Sequence, residues 1–186
     1  MDPAKGGHSS DRNAFIRETR EDSHSWWNFP RSKIPIWQRS WRSIITILNS
    51  TATFHSEKLS KKDLEEFLFL SHPKYPSFLI TDKGGVIGYC FLTRYKKRQA
   101  YDRSAELSIY LKPWFTGKGI GLAALNHLEA AAKNAGIHVL VGTLCGENQA
   151  SIRLMEKVGF SKSAHLKNIG EKFGKILDVV VYQKEI

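Results

Sequence analysis

Glu106 begins a short segment whose carboxylate and following glycines are the residues best suited to chemistry. Gly117, Gly119 and Gly121 come after the segment and open a helical pattern from about Ile120 to Ala135. Glycines permit backbone conformations and close approaches that side chains block, and the first turn of a helix has free N–H groups. The turn is a candidate phosphate site, although a tight connection between a strand and a helix has the same spacing.

Two common phosphate-binding patterns do not fit this turn. The dinucleotide pattern Gly-x-Gly-x-x-Gly with a later acidic residue is not met, and no Lys-Ser or Lys-Thr follows the glycines as in a P-loop. The turn resembles instead the acetyl-CoA signature of the GNAT superfamily of acetyltransferases, Arg/Gln-x-x-Gly-x-Gly/Ala. Thr116, Gly119 and Gly121 occupy its defined positions, and Thr116 departs from it.

Further motifs, in the same order, resemble the phosphinothricin acetyltransferase family, with its methionine sulfone and sulfoximine acetyltransferases. The resemblance covers about Asn49 to Ile186, and several spaced motifs are more specific than one glycine turn. The segments that carry it are 52–54 with Glu57, 96–102, 105–106, 147–154, 158–160, 170–174 and 177–180.

The resemblance implies an N-acetyltransferase that uses acetyl-CoA and a small amino-acid-like amine. It gives Glu106 the role of general base, because a protonated amine must lose a proton to attack a thioester. Backbone N–H groups around Ile109, Tyr110 and Leu111 would stabilise the negative charge that develops. The other cofactor-binding residues that it implies are Thr116, Gly117, Lys118, Gly119, Ile120, Gly121, Asn148 and Ser151.

Recognition of the acceptor falls, by the same resemblance, to a first loop and a basic loop. Arg98 suits an acceptor carboxylate because its fork binds two oxygens. Without the resemblance, Glu106 reads as a solvated strand carboxylate, the basic run as a solvated loop and Asn148 as a helix N-cap. The implied substrate-binding residues are Phe54, Lys96, Lys97, Arg98 and Tyr101.

Apolar periodicity and turn residues predict strands that alternate with helices. With the resemblance, the order predicts an α/β (α+β) GNAT fold, a mixed and mostly antiparallel central sheet flanked by helices. Two helices are predicted at 120–135 and from Asn148 to Gly159, and an earlier one has its apolar face at 64–70. The strands are predicted at 15–20, 78–81, 86–93, 106–111, 138–144, 161–168 and 176–183.

The length of 186 residues fits one domain. Residues 1–14 are polar and predict a disordered leader. The resemblance implies that residues 15–186 form the acetyltransferase domain, in which 15–48 matches the family poorly. Segment 25–42 holds four of the five tryptophans. Such aromatics pack in a core or at a dimer surface, or form a substrate wall, and we expect a homodimer.

The net charge of +10 is compatible with nucleic acid, an anionic membrane surface or a polyanionic small ligand. The excess is spread along the chain without a basic tail or a nucleic-acid motif, and the phosphates of CoA explain it as well. We therefore expect neither a nucleic-acid nor a membrane partner. The sequence has no long apolar run and no signal-peptide pattern, which favours a cytoplasmic protein.

Cys90 and Cys145 lie in apolar strand-like runs, where a cysteine is typically a small buried hydrophobe. Two isolated cysteines do not form a disulfide framework. The seven histidines include no pair at metal-ligand spacing. The sequence predicts no metal site.

Met155 departs from the family pattern, because similar sequences commonly read Arg-Leu-His where this chain reads Arg153-Leu154-Met155. Either the histidine handles protons, and this chain relies on Glu106 and water, or the position only packs against the cofactor and Met155 fills the same space. We favour packing, since methionine fills irregular gaps.

Two other functions of the chain stay open. One is acetylation of another amine (a protein N-terminus, a polyamine or an aminoglycoside), and the other is a non-catalytic basic binding module.

Overall fold

A computed structural model describes residues 28–29 and 72–186 of the chain. The strands are β1 (Ser77–Asp82), β2 (Gly85–Arg94), β3 (Ser104–Leu111), β4 (Val139–Cys145), β5 (Ser161–Lys172) and β6 (Lys175–Glu185), and the helices are α1 (Ile120–Asn134) and α2 (Gln149–Lys157). The strands form one six-stranded sheet in the order β1-β2-β3-β4-β6-β5. The β3–β4 pair is parallel and the other neighbours are antiparallel, so the sheet is mixed and mostly antiparallel, as predicted.

Several predicted features lie outside the described residues. They are the leader at 1–14, the strand at 15–20, the poorly matched region 15–48 with its tryptophan-rich segment 25–42, Phe54 and the helix with its apolar face at 64–70.

The predicted hairpin of 78–81 and 86–93 is confirmed as β1 and β2. Lys83 and Gly84 form its two-residue loop with φ of 46° and 80°. Such positive φ values at both positions match the twist of the flanking strands.

The closing hairpin is longer than the predicted segments 161–168 and 176–183. Phe173 and Gly174, with φ of 54° and 72°, turn the chain at its tip, and β5 and β6 pair up to that turn. The residues near the tip are polar or exposed on both strands. The alternation of apolar residues therefore stops before the strands end, which is why the predicted segments are too short.

Helix α1 covers one face of the sheet. Its buried side chains recur every three or four positions and pack against Leu107 of β3 and Leu140 of β4. Cys90 and Cys145 are buried free thiols, as predicted. The buried residues of α1 are Ile120, Ala124, Leu125, Leu128 and Ala132.

Candidate functional site

Strands β3 and β4 pair only near their first residues. Their parallel register consists of three pairs, Ser104–Val139, Ala105–Leu140 and Glu106–Val141. Past Glu106 the two described strands no longer pair, although both continue to the same end of the sheet. The result is an opening between β3 and β4, bordered by a strand edge whose backbone groups have no strand partner among residues 28–29 and 72–186.

The β2–β3 register decides which N–H groups of β3 face this opening. Lys112 donates its N–H to the carbonyl of Ile87 on β2 at 2.9 Å. Because the hydrogen-bonding direction alternates along a strand, the N–H of Tyr110 also points to β2, where Tyr110 pairs with Tyr89. The N–H groups of Ile109 and Leu111 are therefore the ones directed at the opening, and that of Tyr110 is not.

The glycine turn follows β3 through a short 3₁₀ helix at Pro113–Phe115. Gly117 and Gly119 have φ of 72° and 80°, in the left-handed region that favours glycine. The first intrahelical bond of α1 runs from the N–H of Ala123 to the carbonyl of Gly119 at 3.1 Å. The N–H groups that precede it have no acceptor within the helix, so the turn fits a phosphate.

Thr116 is the residue of this turn that departs from the acetyl-CoA signature, and Lys118 lies two residues after it. The N–H and the hydroxyl of Thr116 both donate to the carbonyl of Pro113, at 3.2 and 2.7 Å. The hydroxyl thus closes the turn. Lys118 lies with its ammonium 5.4 Å from the ring centre of Phe115 and brings a positive charge to the turn.

Asn148 is the N-cap of α2, as predicted. Its Oδ1 accepts the N–H of Ser151 at 3.1 Å. This bond uses the carbonyl end of the side chain and leaves the Nδ2 amide as a donor for other groups. A cofactor role for Asn148 is therefore compatible with its capping role.

Glu106, Ser108 and Tyr110 project from β3 on the face opposite to α1. Glu106 is half-buried. Burial chiefly raises the pKa of Tyr110 to about 12, the negative charge of Glu106 adds to this, and a hydrogen bond with Ser108 opposes it. The Tyr110 hydroxyl is thus protonated at neutral pH.

The side chains of Ser108 and Tyr110 were missed as functional candidates, since only the backbone of Tyr110 was considered. The sequence could have indicated them, because Ser108 and Tyr110 follow Glu106 at every second position, which places the three side chains on one face of the strand. The ring of Tyr110 lies 5.0 Å from that of Tyr89 and 6.2 Å from that of Phe91. An acceptor at Glu106 would therefore meet a protonated phenol on the same strand.

The basic loop lies between β2 and β3. Lys96, Lys97 and Arg98 are exposed, and Arg98 directly precedes the 3₁₀ helix that ends at Tyr101. The Tyr101 ring packs edge-on against that of Tyr95, with their centres 5.9 Å apart. The loop leads into the first residues of β3.

The glycine turn lies at the other end of β3. Glu106 and Leu111 are five residues apart, about 17 Å at the rise of a strand. Glu106 is thus near the basic loop, and the opening lies between Glu106 and the turn.

Met155 is buried in the core on the α1 face of the sheet, with 4% of its surface exposed. A Cβ added to Gly142 of β4 would lie 2.8 Å from its Cε. Met155 thus packs against β4 in the core, and its packing against the cofactor stays a prediction.

Replacement of Met155 by His is expected to leave the pH–rate profile nearly unchanged, because this position packs. Stopped assays from pH 5 to 10 measure the profile, with Met155→Leu as the control of similar size. A new ionisation at about pH 6 to 7, together with turnover at least about tenfold faster, would show that the position handles protons.

Two features are absent from the part of the chain that the structure describes, a metal-binding cluster and a membrane-spanning helix. Residues 28–29 and 72–186 include no cluster of three or more His, Cys, Asp and Glu side chains suited to a metal ion. In the same residues, no helix has the length and apolar character needed to cross a membrane.

Residues 41–160 match the model of the acetyltransferase (GNAT) family. Over 112 residues the chain is 32% identical to an Escherichia coli K12 protein named L-amino acid N-acyltransferase MnaT, covering 60% of this chain and 65% of that protein. It is 33% identical to an L-methionine sulfoximine/L-methionine sulfone acetyltransferase of Salmonella typhimurium LT2, covering 60% and 66%. The matches thus span just under two thirds of these two relatives.

The solved structures include a Sinorhizobium meliloti phosphinothricin acetyltransferase of the GNAT superfamily in complex with acetyl-CoA. It superposes with a TM-score of 0.79 and 29% identity and covers 87% of this chain and 89% of that one. The predicted GNAT fold is confirmed.

Proposed function

Because the chain belongs to the acetyltransferase (GNAT) family, we propose that it transfers the acetyl group of acetyl-CoA to the amine of a small amino-acid-like acceptor. The opening between β3 and β4 is the observation that carries the proposal. It places the N–H groups of Ile109 and Leu111 between Glu106 and the glycine turn.

In this proposal the chain binds acetyl-CoA at three places. The amides of the Thr116–Gly121 turn hold the pyrophosphate, with Lys118 nearby, and the edge of β3 receives the pantetheine arm. Asn148 and Ser151 contribute from the start of α2. Acetyl-CoA supplies the activated acyl group as a thioester.

The chemistry exchanges a C–S bond for a C–N bond. Glu106, directly or through one water, takes the proton that the amine loses. The N–H groups of Ile109 and Leu111 donate to the carbonyl oxygen as it gains charge. The departing sulfur takes a proton from water, and Glu106 returns to water the proton that it took from the amine, so the carboxylate is regenerated.

The names of the relatives and the basic loop support an acceptor of the phosphinothricin and methionine sulfone or sulfoximine type. Arg98 and its neighbours Lys96 and Lys97 would bind the anionic or polar head, with Tyr101 beside them and Phe54 contributing from the first loop.

An acetyl-CoA thiol-release assay across a panel of amines tests the proposal. The panel contains phosphinothricin, methionine sulfone, methionine sulfoximine, free amino acids, a polyamine, an aminoglycoside and a peptide with a free N-terminus. Highest kcat/KM for the first three is expected. A higher kcat/KM for the polyamine, the aminoglycoside or the peptide would replace the proposed acceptor class. Salt-dependent retention of the protein on nucleic acid, without turnover of any amine, would favour a binding module.

Arg98→Ala is expected to raise KM for an anionic acceptor about tenfold and to leave KM for acetyl-CoA unchanged, because a lost carboxylate pair affects acceptor binding alone. Steady-state kinetics with each substrate varied in turn measure both constants. Arg98→Lys is the control that keeps the charge and loses the fork. An effect confined to acetyl-CoA would move Arg98 to the cofactor site.

We also infer a homodimer in the cytoplasm. Four large apolar side chains are exposed on the β5–β6 hairpin, which is typical of a protein interface. The two buried free thiols fit a reducing compartment. Light scattering after gel filtration measures the assembly, and a monomeric mass at micromolar concentration would contradict the dimer. The four side chains are Leu166, Ile169, Phe173 and Ile176.

A further inference from the structure

The turn at residues 145–148, here called the Asn148 turn, is held by the β5–β6 hairpin. Gly146 donates its N–H to the backbone carbonyl of Asp178 at 2.8 Å. A Cβ added to Gly146 would lie 3.1 Å from the Cβ of Asp178. The turn and Asp178 are therefore in direct contact, at a distance that favours glycine.

Asp178 is itself held through both carboxylate oxygens. Oδ1 accepts the backbone N–H of Asn168 at 2.9 Å, and Oδ2 lies 2.7 Å from Nε2 of His165. The pKa of Asp178 lies below its usual value, chiefly because of the Asn168 N–H and next because of His165. The carboxylate is thus ionised at neutral pH and accepts both bonds.

These two bonds fasten Asp178 to an irregular part of β5. The β5–β6 register shifts between Leu166 and Gly170, and Asn168 has a φ of 54°. A non-glycine residue in the left-handed region needs support from its surroundings. The carboxylate provides that support and so fixes where the backbone of Asp178 meets Gly146.

We propose that Asp178 is a positioning residue for the binding of acetyl-CoA. Asp178 acts through Gly146, whose position determines where the side chain of Asn148 lies. The inference rests on the proposed function. The path is short, because Asn148 donates its N–H to the carbonyl of Cys145 across the turn at 2.9 Å. The cap to Ser151 then fixes the side chain and directs its Nδ2 amide.

The same turn carries a second link that serves as a control. Lys175 and Glu147 form an ion pair at 2.7 Å, with half or more of each side chain exposed. Exposed pairs of this kind contribute little to stability. Glu147→Gln removes the pair and leaves Asp178 and Gly146 untouched.

Calorimetric titration of the full chain with acetyl-CoA tests the proposal. Asp178→Ala is expected to weaken acetyl-CoA binding about tenfold, as small displacements of positioning groups do. Asp178→Asn keeps an acceptor for the N–H of Asn168, so its affinity for acetyl-CoA is expected to stay within about threefold of that of wild type. The affinity of Glu147→Gln is expected to equal that of wild type. Equal affinity of Asp178→Ala and wild type would overturn the inference.

A double-mutant cycle separates positioning from general destabilisation. On an Asn148→Ala background, Asp178→Ala should have almost no further effect on acetyl-CoA affinity. A full additional loss would overturn the proposed path. If Asp178→Ala does not fold, Gly146→Ala decides, because it displaces the turn and keeps the carboxylate; unchanged affinity there would also overturn the inference.

The wild-type titration distinguishes two kinds of failure. A wild-type chain that neither binds acetyl-CoA nor releases thiol removes the proposed function itself. Wild-type binding combined with unaffected Asp178 and Gly146 variants removes only the positioning role.

Discussion

Glu106→Gln is expected to lower kcat by about 10²-fold or more, as loss of a general base does. Glutamine keeps the size and polarity of the side chain and cannot take the proton of the amine. The proposed acetyl-CoA site lies further along β3, so the dissociation constant for acetyl-CoA should stay within about twofold of wild type. Steady-state rates from pH 6 to 10 and a calorimetric titration measure the two quantities.

Glu185→Gln provides the matched control for this variant. Glu185 is an exposed carboxylate on β6, and its loss changes the net charge by the same amount. The control should retain wild-type turnover at every pH. Undiminished turnover of Glu106→Gln across the pH range would show that Glu106 is not the general base. If Glu106 is the base, a higher pH should partly restore the rate of Glu106→Gln, because more of the amine is then already deprotonated.

The local elements of the site were predictable from the sequence because their signals are local. The alternation at 106–111 predicted β3, the glycines predicted the start of α1, and the cap at Asn148 predicted that of α2. Each depends on the conformation of a few neighbouring residues. The resemblance then supplied the fold class, which is confirmed.

The opening between β3 and β4 was not predictable in the same way. Its existence depends on where the pairing of two strands stops, and those strands are separated in sequence by the whole of α1. The direction of the Tyr110 N–H likewise follows from the register with β2, which no single strand pattern contains.

The contact of Asp178 with Gly146 also escaped prediction. It joins residues more than thirty positions apart through backbone atoms, which carry no side-chain signal. The bond between the Asp178 carboxylate and the N–H of Asn168 was not predictable either, because the register of β5 is irregular around Asn168 and the alternation of a regular strand ends there.

Gly119→Val is expected to raise KM for acetyl-CoA at least about tenfold, since two effects act in the same direction. Gly119 has a φ of 80°, and the left-handed region costs a residue with a Cβ about 1–2 kcal/mol. A branched side chain at the helix N-cap also obstructs the N–H groups proposed for the pyrophosphate. The acceptor KM should change much less, because Glu106 and the basic loop lie at the other end of β3.

Gly84→Val separates the two effects. Gly84 has the same φ of 80°, lies in the β1–β2 hairpin loop, and would place a Cβ with no atom within 4 Å. Thermal unfolding should show a similar loss of Tm for both variants, because both strain the backbone. Only Gly119→Val should lose acetyl-CoA affinity. Normal affinity in a folded Gly119→Val protein would remove the phosphate site from this turn, and an equal loss in Gly84→Val would assign the effect to strain.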